Sequence, residues 1–88
     1  MKIKIEKPDD EKLNELNVSS WGIWGCDPST FDWHYDDEET CYLLEGKVKV
    51  KTADQEVEFG MGDMVTFPKG LDCTWTVIEK VKKHYKFD

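Results

Sequence analysis

The carboxylate best placed to do chemistry in this chain is Glu39. It opens the segment ETCYLLEG, residues 39–46, which is typical of a short β-strand that runs into a tight turn. An apolar barrel around it would favour the protonated carboxyl, which suits proton transfer near neutral pH. Glu39 is therefore a candidate general acid or base, or a metal ligand. The alternative is a structural carboxylate that is hydrogen-bonded to Tyr35, Trp33 or a backbone amide.

Thiol chemistry is the second possibility, and Cys73 is the catalytic candidate beside Glu39. Cys73 could act as a nucleophile or as a soft metal ligand. Cys41 lies two residues beyond Glu39 and should face the same side of its strand. With Cys26 the cysteines number three and include no CxxC pair, which indicates free thiols in a reducing cytosol. The alternative role of a buried free cysteine is that of a small apolar side chain.

Aromatic residues lie near these candidates along the predicted strands. Tryptophan and tyrosine combine a flat apolar face with a polar group, which suits the wall of a small-molecule cavity. Packing in the core without any ligand is the alternative role for them. The predicted ligand pocket consists of Trp33, Tyr35, Glu39, Cys41, Cys73 and Trp75.

The elements that must position these residues are mostly β-strands. From residue 31 onward the apolar positions alternate with a period close to two, which is typical of half-buried strands. About eight short strands, separated by turn signals, indicate a barrel or a sandwich. Before them we expect an edge strand and a short helix with an aspartate N-cap, in which Leu13 and Leu16 face inward. We therefore predict one domain, residues 1–88, with an N-terminal strand and helix (1–17) and a barrel (18–88).

The composition argues against nucleic-acid and membrane partners. The 88 residues carry a formal net charge of −7, and the basic residues are not gathered into one block. The N-terminus lacks the apolar core of a signal peptide and no stretch is long enough to span a bilayer, so we expect a cytoplasmic location. A chain of this size buries a modest share of its surface, and we expect a homodimer.

Two glycine-bearing segments, residues 39–46 and 62–73, resemble the two motifs of the cupin superfamily through the spacings E-x6-G and G-x5-P-x-G. The resemblance implies an all-β fold. It is a single cupin barrel of the jelly-roll, double-stranded β-helix type, with a short N-terminal helix and a ligand cavity in its mouth. Finer matches look like the small single-domain cupins grouped with ureidoglycine aminohydrolase and with ethanolamine-utilization proteins. These matches lie in residues 31–33, 39–46, 62–70, 73–75 and 81–85.

The resemblance also raises the question of a metal. Metal-binding cupins chelate a divalent ion with an H-x-H pair, the motif glutamate and a late histidine, and the last two positions hold Glu39 and Cys73 here. The pair depends on the strand register: a four-residue gap before Glu39 gives Asp32 and His34, and a three-residue gap gives Trp33 and Tyr35. The first register would offer Asp32, His34, Glu39 and Cys73 to Mn, Fe, Ni or Zn.

Burial distinguishes the two registers. In the first, the aromatic rings at positions 31, 33 and 35 would face solvent, which forfeits roughly 1.5–3 kcal/mol for each ring. We therefore favour the aromatic-inward register, with no metal or other cofactor. The first hypothesis for function is a module that binds a small polar metabolite in an aromatic-lined pocket. The alternatives are a divalent-metal-dependent enzyme acting on a small nitrogenous or keto metabolite, as in ureidoglycine aminohydrolase, and a structural or assembly protein.

Overall fold

Seven antiparallel β-strands form most of the protein, and the computed structural model describes every residue from Met1 to Asp88. A short α-helix and one turn of 3₁₀ helix lie near the N-terminus. In chain order the elements are β1 (Lys4–Glu6), α1 (Asp10–Glu15), the 3₁₀ turn (Val18–Ser20), β2 (Gly22–Cys26), β3 (Ser29–His34), β4 (Glu39–Lys51), β5 (Glu56–Gly60), β6 (Met64–Phe67) and β7 (Asp72–Phe87).

The strands belong to one curved sheet with the order β1-β6-β4-β7-β2, in which β5 also pairs with β4 and β3 also pairs with β7. The all-β fold with a single short α-helix is thus as the sequence predicts. The strand lengths differ from the prediction of short strands, because β4 has 13 residues and β7 has 16. These two strands pair with each other over most of their length and form the centre of the sheet.

Gly46 explains why β4 is longer than predicted. The sequence places a turn there, but the strand continues through this glycine, and its pairing with β7 shifts register three times between Leu43 and Val48. Gly46 has a φ of +96°, and a Cβ atom on it would lie 2.3 Å from the carbonyl oxygen of Lys80. The glycine therefore permits an irregularity that bends two paired strands, and it does not end the strand.

The core lies inside the curve of the sheet and is rich in aromatic rings. Tyr35 stacks on Phe67 with ring centroids 4.9 Å apart, and Phe67 lies 5.6 Å from Trp75. Apolar residues of β4 fill the space beside them, because alternate side chains of a strand point to the same face. The fully buried side chains include Leu43, Val48, Val50, Val65 and Val81.

The N-terminal helix is capped as predicted but is not buried as predicted. Asp9 accepts a hydrogen bond from the backbone N–H of Lys12 at 2.9 Å, which is the N-cap contact. No residue of the helix is buried, and Leu16, which was expected to face inward, is 37% exposed. A helix of six residues has fewer than two turns, so it offers little apolar surface to bury. No helix in the structure has the length and apolar character that crossing a membrane requires.

Candidate ligand-binding pocket

A pocket of about 190 Å³ lies among residues of β2, β3, β4 and β7. Seven of its nine lining residues are hydrophobic, and the two others are a glutamate and a lysine. The lining residues are Trp24, Phe31, Trp33, Tyr35, Glu39, Trp75, Lys83, Tyr85 and Phe87.

Strand pairing brings these residues together from distant parts of the sequence. Trp24 of β2 is paired with Lys83 of β7, and Phe31 of β3 is paired with Trp75 of β7. Residues directly opposite each other in an antiparallel pair point to the same face, so each pair adds two side chains to one wall. The central strand β7 supplies four of the nine lining residues because it pairs with β2, β3 and β4.

Glu39 and Tyr35 are held by the ends of neighbouring elements. Glu39 begins β4 and pairs with Phe67 on one side and with Phe87 on the other. Tyr35 follows β3, and its backbone N–H and C=O bond to Leu71 and Gly70 at 2.9 and 2.7 Å. Both backbones are therefore fixed, which fixes the start of each side chain at the floor of the pocket.

The floor of the pocket is a buried ion pair. The Lys83 ammonium donates to Glu39 Oε2 at 2.7 Å, and the two side chains are only 6% and 3% exposed. The Tyr35 hydroxyl donates to the other carboxylate oxygen, Oε1, at 2.9 Å. The ammonium nitrogen also lies 4.6 Å from the ring centre of Trp75 and 5.0 Å from that of Trp24, which is cation–π geometry.

Tyr35 serves the carboxylate as a fixed hydrogen-bond donor. Burial raises the pKa of its hydroxyl above the ordinary range, and the nearby Glu39 carboxylate raises it further. The hydroxyl therefore keeps its proton at physiological pH and is no candidate base. Glu39 is consequently held by one neutral and one charged donor. The hydrogen bond to Tyr35 is one of the alternatives that the sequence analysis left open for Glu39, and the structure adds a cationic partner, Lys83.

Four of the six residues predicted for the pocket do line it. Tyr35, Glu39 and Trp75 are almost fully buried at 1–2% exposed, while Trp33 stands at the rim with 49% of its surface exposed. Cys41 is not among the lining residues, because it is wholly buried in the core behind the pocket wall. The alternation of β4 places its side chain on the inward face, as expected, but at a depth that the pocket does not reach.

Cys73 was also predicted to line the aromatic pocket, and this prediction is wrong for a different reason. It lines a separate, open groove and not the aromatic pocket. Burial raises the pKa of its thiol to about 11, with a smaller contribution from Asp72, and burial raises that of Cys41 to about 12. Both thiols are therefore protonated at neutral pH, which makes Cys73 a poor nucleophile.

Asp32 and His34 lie on the opposite face of β3 and are exposed. Asp32 accepts a hydrogen bond from the hydroxyl of Thr74 at 2.8 Å, and His34 contacts Asp72 at 2.6 Å. The strand thus has the register in which Tyr35 points inward, and it does not bring Asp32 and His34 to Glu39. No group of three or more His, Cys, Asp or Glu side chains in the protein is arranged to hold a metal ion.

The sequence-based prediction missed Lys83, which is the most informative residue of the pocket. Lysine is mostly an exposed residue type, so its identity gave no reason to place it in a pocket. The alternation Val81, Lys83, Tyr85 was a usable signal, because the apolar neighbours two residues away on either side face inward. The other lining residues that were missed are Trp24, Phe31, Tyr85 and Phe87.

The comparisons with known proteins agree with this fold. The sequence profile of the EutQ-like cupin domain matches residues 13–85, which is most of the chain. The chain belongs to the EutQ-like cupin family. This cupin is also similar over its whole length to a DUF861-family protein of Thermotoga maritima. The two are 56% identical, with a TM-score of 0.97, over 99% of this chain and 100% of the other.

More distant relatives share the fold. The EutQ protein of Clostridium difficile is 20% identical with a TM-score of 0.70, and the match covers 97% of this cupin and 66% of that chain. A putative ethanolamine utilization protein Q of Salmonella typhimurium is 21% identical with a TM-score of 0.69, over 99% of this cupin and 69% of that chain. No protein among those with curated descriptions matches the sequence.

Cupins can bind metals, but the donor groups of this cupin do not match what a divalent ion requires. A metal needs several unprotonated N, O or S donors around one point. At Glu39 both carboxylate oxygens already accept hydrogen bonds, one from Tyr35 and one from the Lys83 ammonium. A second cation beside this ammonium would be repelled, and Asp32, His34 and Cys73 line a separate groove. The residues present do not fit a divalent metal.

Proposed function

We propose that this cupin binds a small molecule in the aromatic pocket, without a metal. The observation that carries the proposal is the buried Glu39–Lys83 pair, at 2.7 Å, at the floor of an otherwise apolar pocket. A buried ion pair is weak evidence for stability, because well-packed apolar residues of similar volume often stabilise a core equally well or better. Polar groups that converge at the base of an apolar pocket are the typical arrangement for orienting a ligand.

The volume of the pocket supports a ligand of the size of one ring. An engineered apolar protein cavity of about 150 Å³ binds benzene, and this pocket measures about 190 Å³. Pockets for drug-sized ligands are larger, roughly 300–1,000 Å³. The proposed ligand is therefore a small metabolite with room for a single ring, or a chain of similar volume, and a small polar substituent.

The arrangement of the rings supports a flat ligand. Phe31 and Trp75 are stacked with an interplanar angle of 14°, and Trp24 meets both rings edge-on at 6.0–6.3 Å. Trp33 stands at the rim, half-exposed, where a bound molecule would cover it. Aromatic walls of this kind contribute contact area and stacking geometry to a planar guest.

The two alternative functions receive less support. A metal-dependent reaction on a nitrogenous or keto metabolite would need donors that the structure does not bring together. A purely structural role does not account for an open aromatic pocket with a charged pair at its floor.

A ligand screen with paired variants tests the proposal. The protein is heated in the presence of single-ring metabolites, and we expect at least one to raise the melting temperature in a saturable way. Trp33→Ala should weaken that stabilisation, because Trp33 lines the pocket, whereas Trp21→Ala, which removes a tryptophan outside the pocket, should not. The proposal is wrong if no compound stabilises the protein, or if both variants respond like the wild type.

A further inference from the structure

The Lys83 ammonium has more hydrogen-bond donors than the protein uses. A lysine ammonium carries three N–H donors, and Glu39 Oε2 is the only protein atom that accepts a hydrogen bond from it. Its other close neighbours at the pocket are the ring faces of Trp24 and Trp75. We propose that the ligand is a small planar molecule that presents a neutral acceptor, the oxygen of an amide or a ketone, to Lys83. This inference rests on the binding function proposed above and names the ligand class.

A cationic ligand is the first alternative, because aromatic rings and a carboxylate together usually recognise an ammonium group. In this pocket the protein supplies that cation itself. The Lys83 ammonium lies against both indole rings and is paired with Glu39. The remaining oxygen of Glu39 accepts the hydrogen bond of Tyr35. A ligand ammonium would compete with Tyr35 and Lys83 for the oxygens of Glu39 and would meet a like charge.

An anionic ligand is the second alternative. A carboxylate would be attracted to Lys83 but repelled by Glu39, since both would bind the same ammonium from different sides. The bound state would then leave one net negative charge in an apolar pocket, which is unfavourable. A neutral carbonyl oxygen can accept a hydrogen bond from the same ammonium. It adds no charge, so the Glu39–Lys83 pair and the ligand together stay neutral. The charge balance of the floor therefore favours a neutral acceptor over an anion, and the unused N–H donors of Lys83 favour either of them over a cation.

Four probes of one shape separate these cases. Benzamide, benzoate, benzylammonium and toluene each place one ring in the pocket and differ in the group that would reach Lys83. The full-length protein is titrated with each, and binding is followed by the NMR signals of β3 and β7, which line the pocket. We expect benzamide to bind most tightly and benzylammonium most weakly. Benzamide should bind about fivefold or more tighter than toluene, because a hydrogen bond to a charged donor is gained.

Variants of the two floor residues test whether Lys83 and Glu39 cause the differences in affinity between the probes. Lys83→Met should remove the advantage of benzamide over toluene, whereas Lys82→Met, a change at the exposed neighbour, should preserve it. Glu39→Gln keeps the Lys83 donor and removes the negative charge. It should tighten benzoate about threefold or more relative to the wild type. This last variant decides the question if Lys83→Met does not fold.

The possible failures are distinct. If no probe shifts the signals of the pocket at millimolar concentrations, both the binding function and the ligand class are wrong. If toluene or benzylammonium binds as tightly as benzamide, the pocket binds ligands but the acceptor class is wrong. The same conclusion holds if Glu39→Gln leaves the affinity for benzoate unchanged.

Discussion

Glu39 and Lys83 neutralise each other inside the barrel, and each charge can be buried only because the other is beside it. Both are almost completely buried and 2.7 Å apart. A charge left alone in such a site has lost its water without gaining a partner, which costs far more than the pair itself contributes. The residue that the sequence marks as a possible acid, base or metal ligand is thus one half of an internal salt bridge.

A double-mutant cycle at this pair is the first prediction. Lys83→Met leaves the Glu39 carboxylate buried and unpaired, and we expect it to lower the free energy of unfolding by about 3–5 kcal/mol. Adding Glu39→Gln should recover part of that loss, so the double variant should be more stable than the sum of the single effects implies. Urea unfolding measures all four proteins. Strictly additive effects would contradict the pairing.

Tyr35 gives a prediction about alkaline pH. Burial raises the pKa of its hydroxyl, so above about pH 10 the unfolded chain loses this proton while the folded chain keeps it. The unfolded state then binds fewer protons, and stability falls with rising pH, by up to about 1.4 kcal/mol per pH unit. Below pH 9 this group should have no effect. In Tyr35→Phe the loss of stability between pH 10 and 11 should be shallower than in the wild type; parallel curves would refute the assignment.

The sequence predicted some of the individual residues that line the pocket. Alternation along a strand identifies the face on which a side chain lies, and so Tyr35, Glu39 and Trp75 were found. Alternation does not show how deeply a side chain is buried, and for that reason Cys41 and Cys73 were predicted in the pocket. Cys41 lies in the core behind the pocket wall, and Cys73 lines a separate groove. Lys83 was missed because a lysine is rarely buried, and only its pairing with Glu39 across two strands accounts for it.

At the scale of elements, the two long strands β4 and β7 organise the site. They place Glu39 near the start of one strand and Lys83 near the end of the other, so antiparallel pairing brings the two ends together. The all-β character, the helix cap and the inward face of β3 followed from the sequence. The lengths of β4 and β7 did not, because a glycine signals positive φ equally well in a turn and in a strand irregularity.

Two glycines test that distinction. Gly46 and Gly62 both have positive φ, +96° and +89°, but only Gly46 faces another backbone, and nothing lies within 4 Å of a Cβ at Gly62. Each change to alanine strains the backbone by about 1–3 kcal/mol. Gly46→Ala must in addition separate β4 from β7, so it should destabilise the protein clearly more than Gly62→Ala in chemical unfolding. Equal losses would show that Gly46 does not hold the two strands close together.

At the scale of the whole molecule, part of the surface is apolar. Ile23, Trp33 and Phe87 are 59%, 49% and 47% exposed, and the last two also line the pocket. The homodimer expected from the small size of the chain stays a prediction. Light scattering coupled to gel filtration should give twice the mass of 10.3 kDa, and a monomer at all concentrations would contradict it.

The central claim is that Lys83, held by Glu39, donates a hydrogen bond to the ligand in the aromatic pocket. A crystal structure of the protein with benzamide tests this most directly. We predict that the ring lies among Trp24, Phe31 and Trp75, with its oxygen about 2.7–3.2 Å from the Lys83 nitrogen. The Glu39–Lys83 contact should persist in that complex. Benzamide bound elsewhere, or bound in the pocket with Lys83 turned away from both its oxygen and Glu39, would contradict the account.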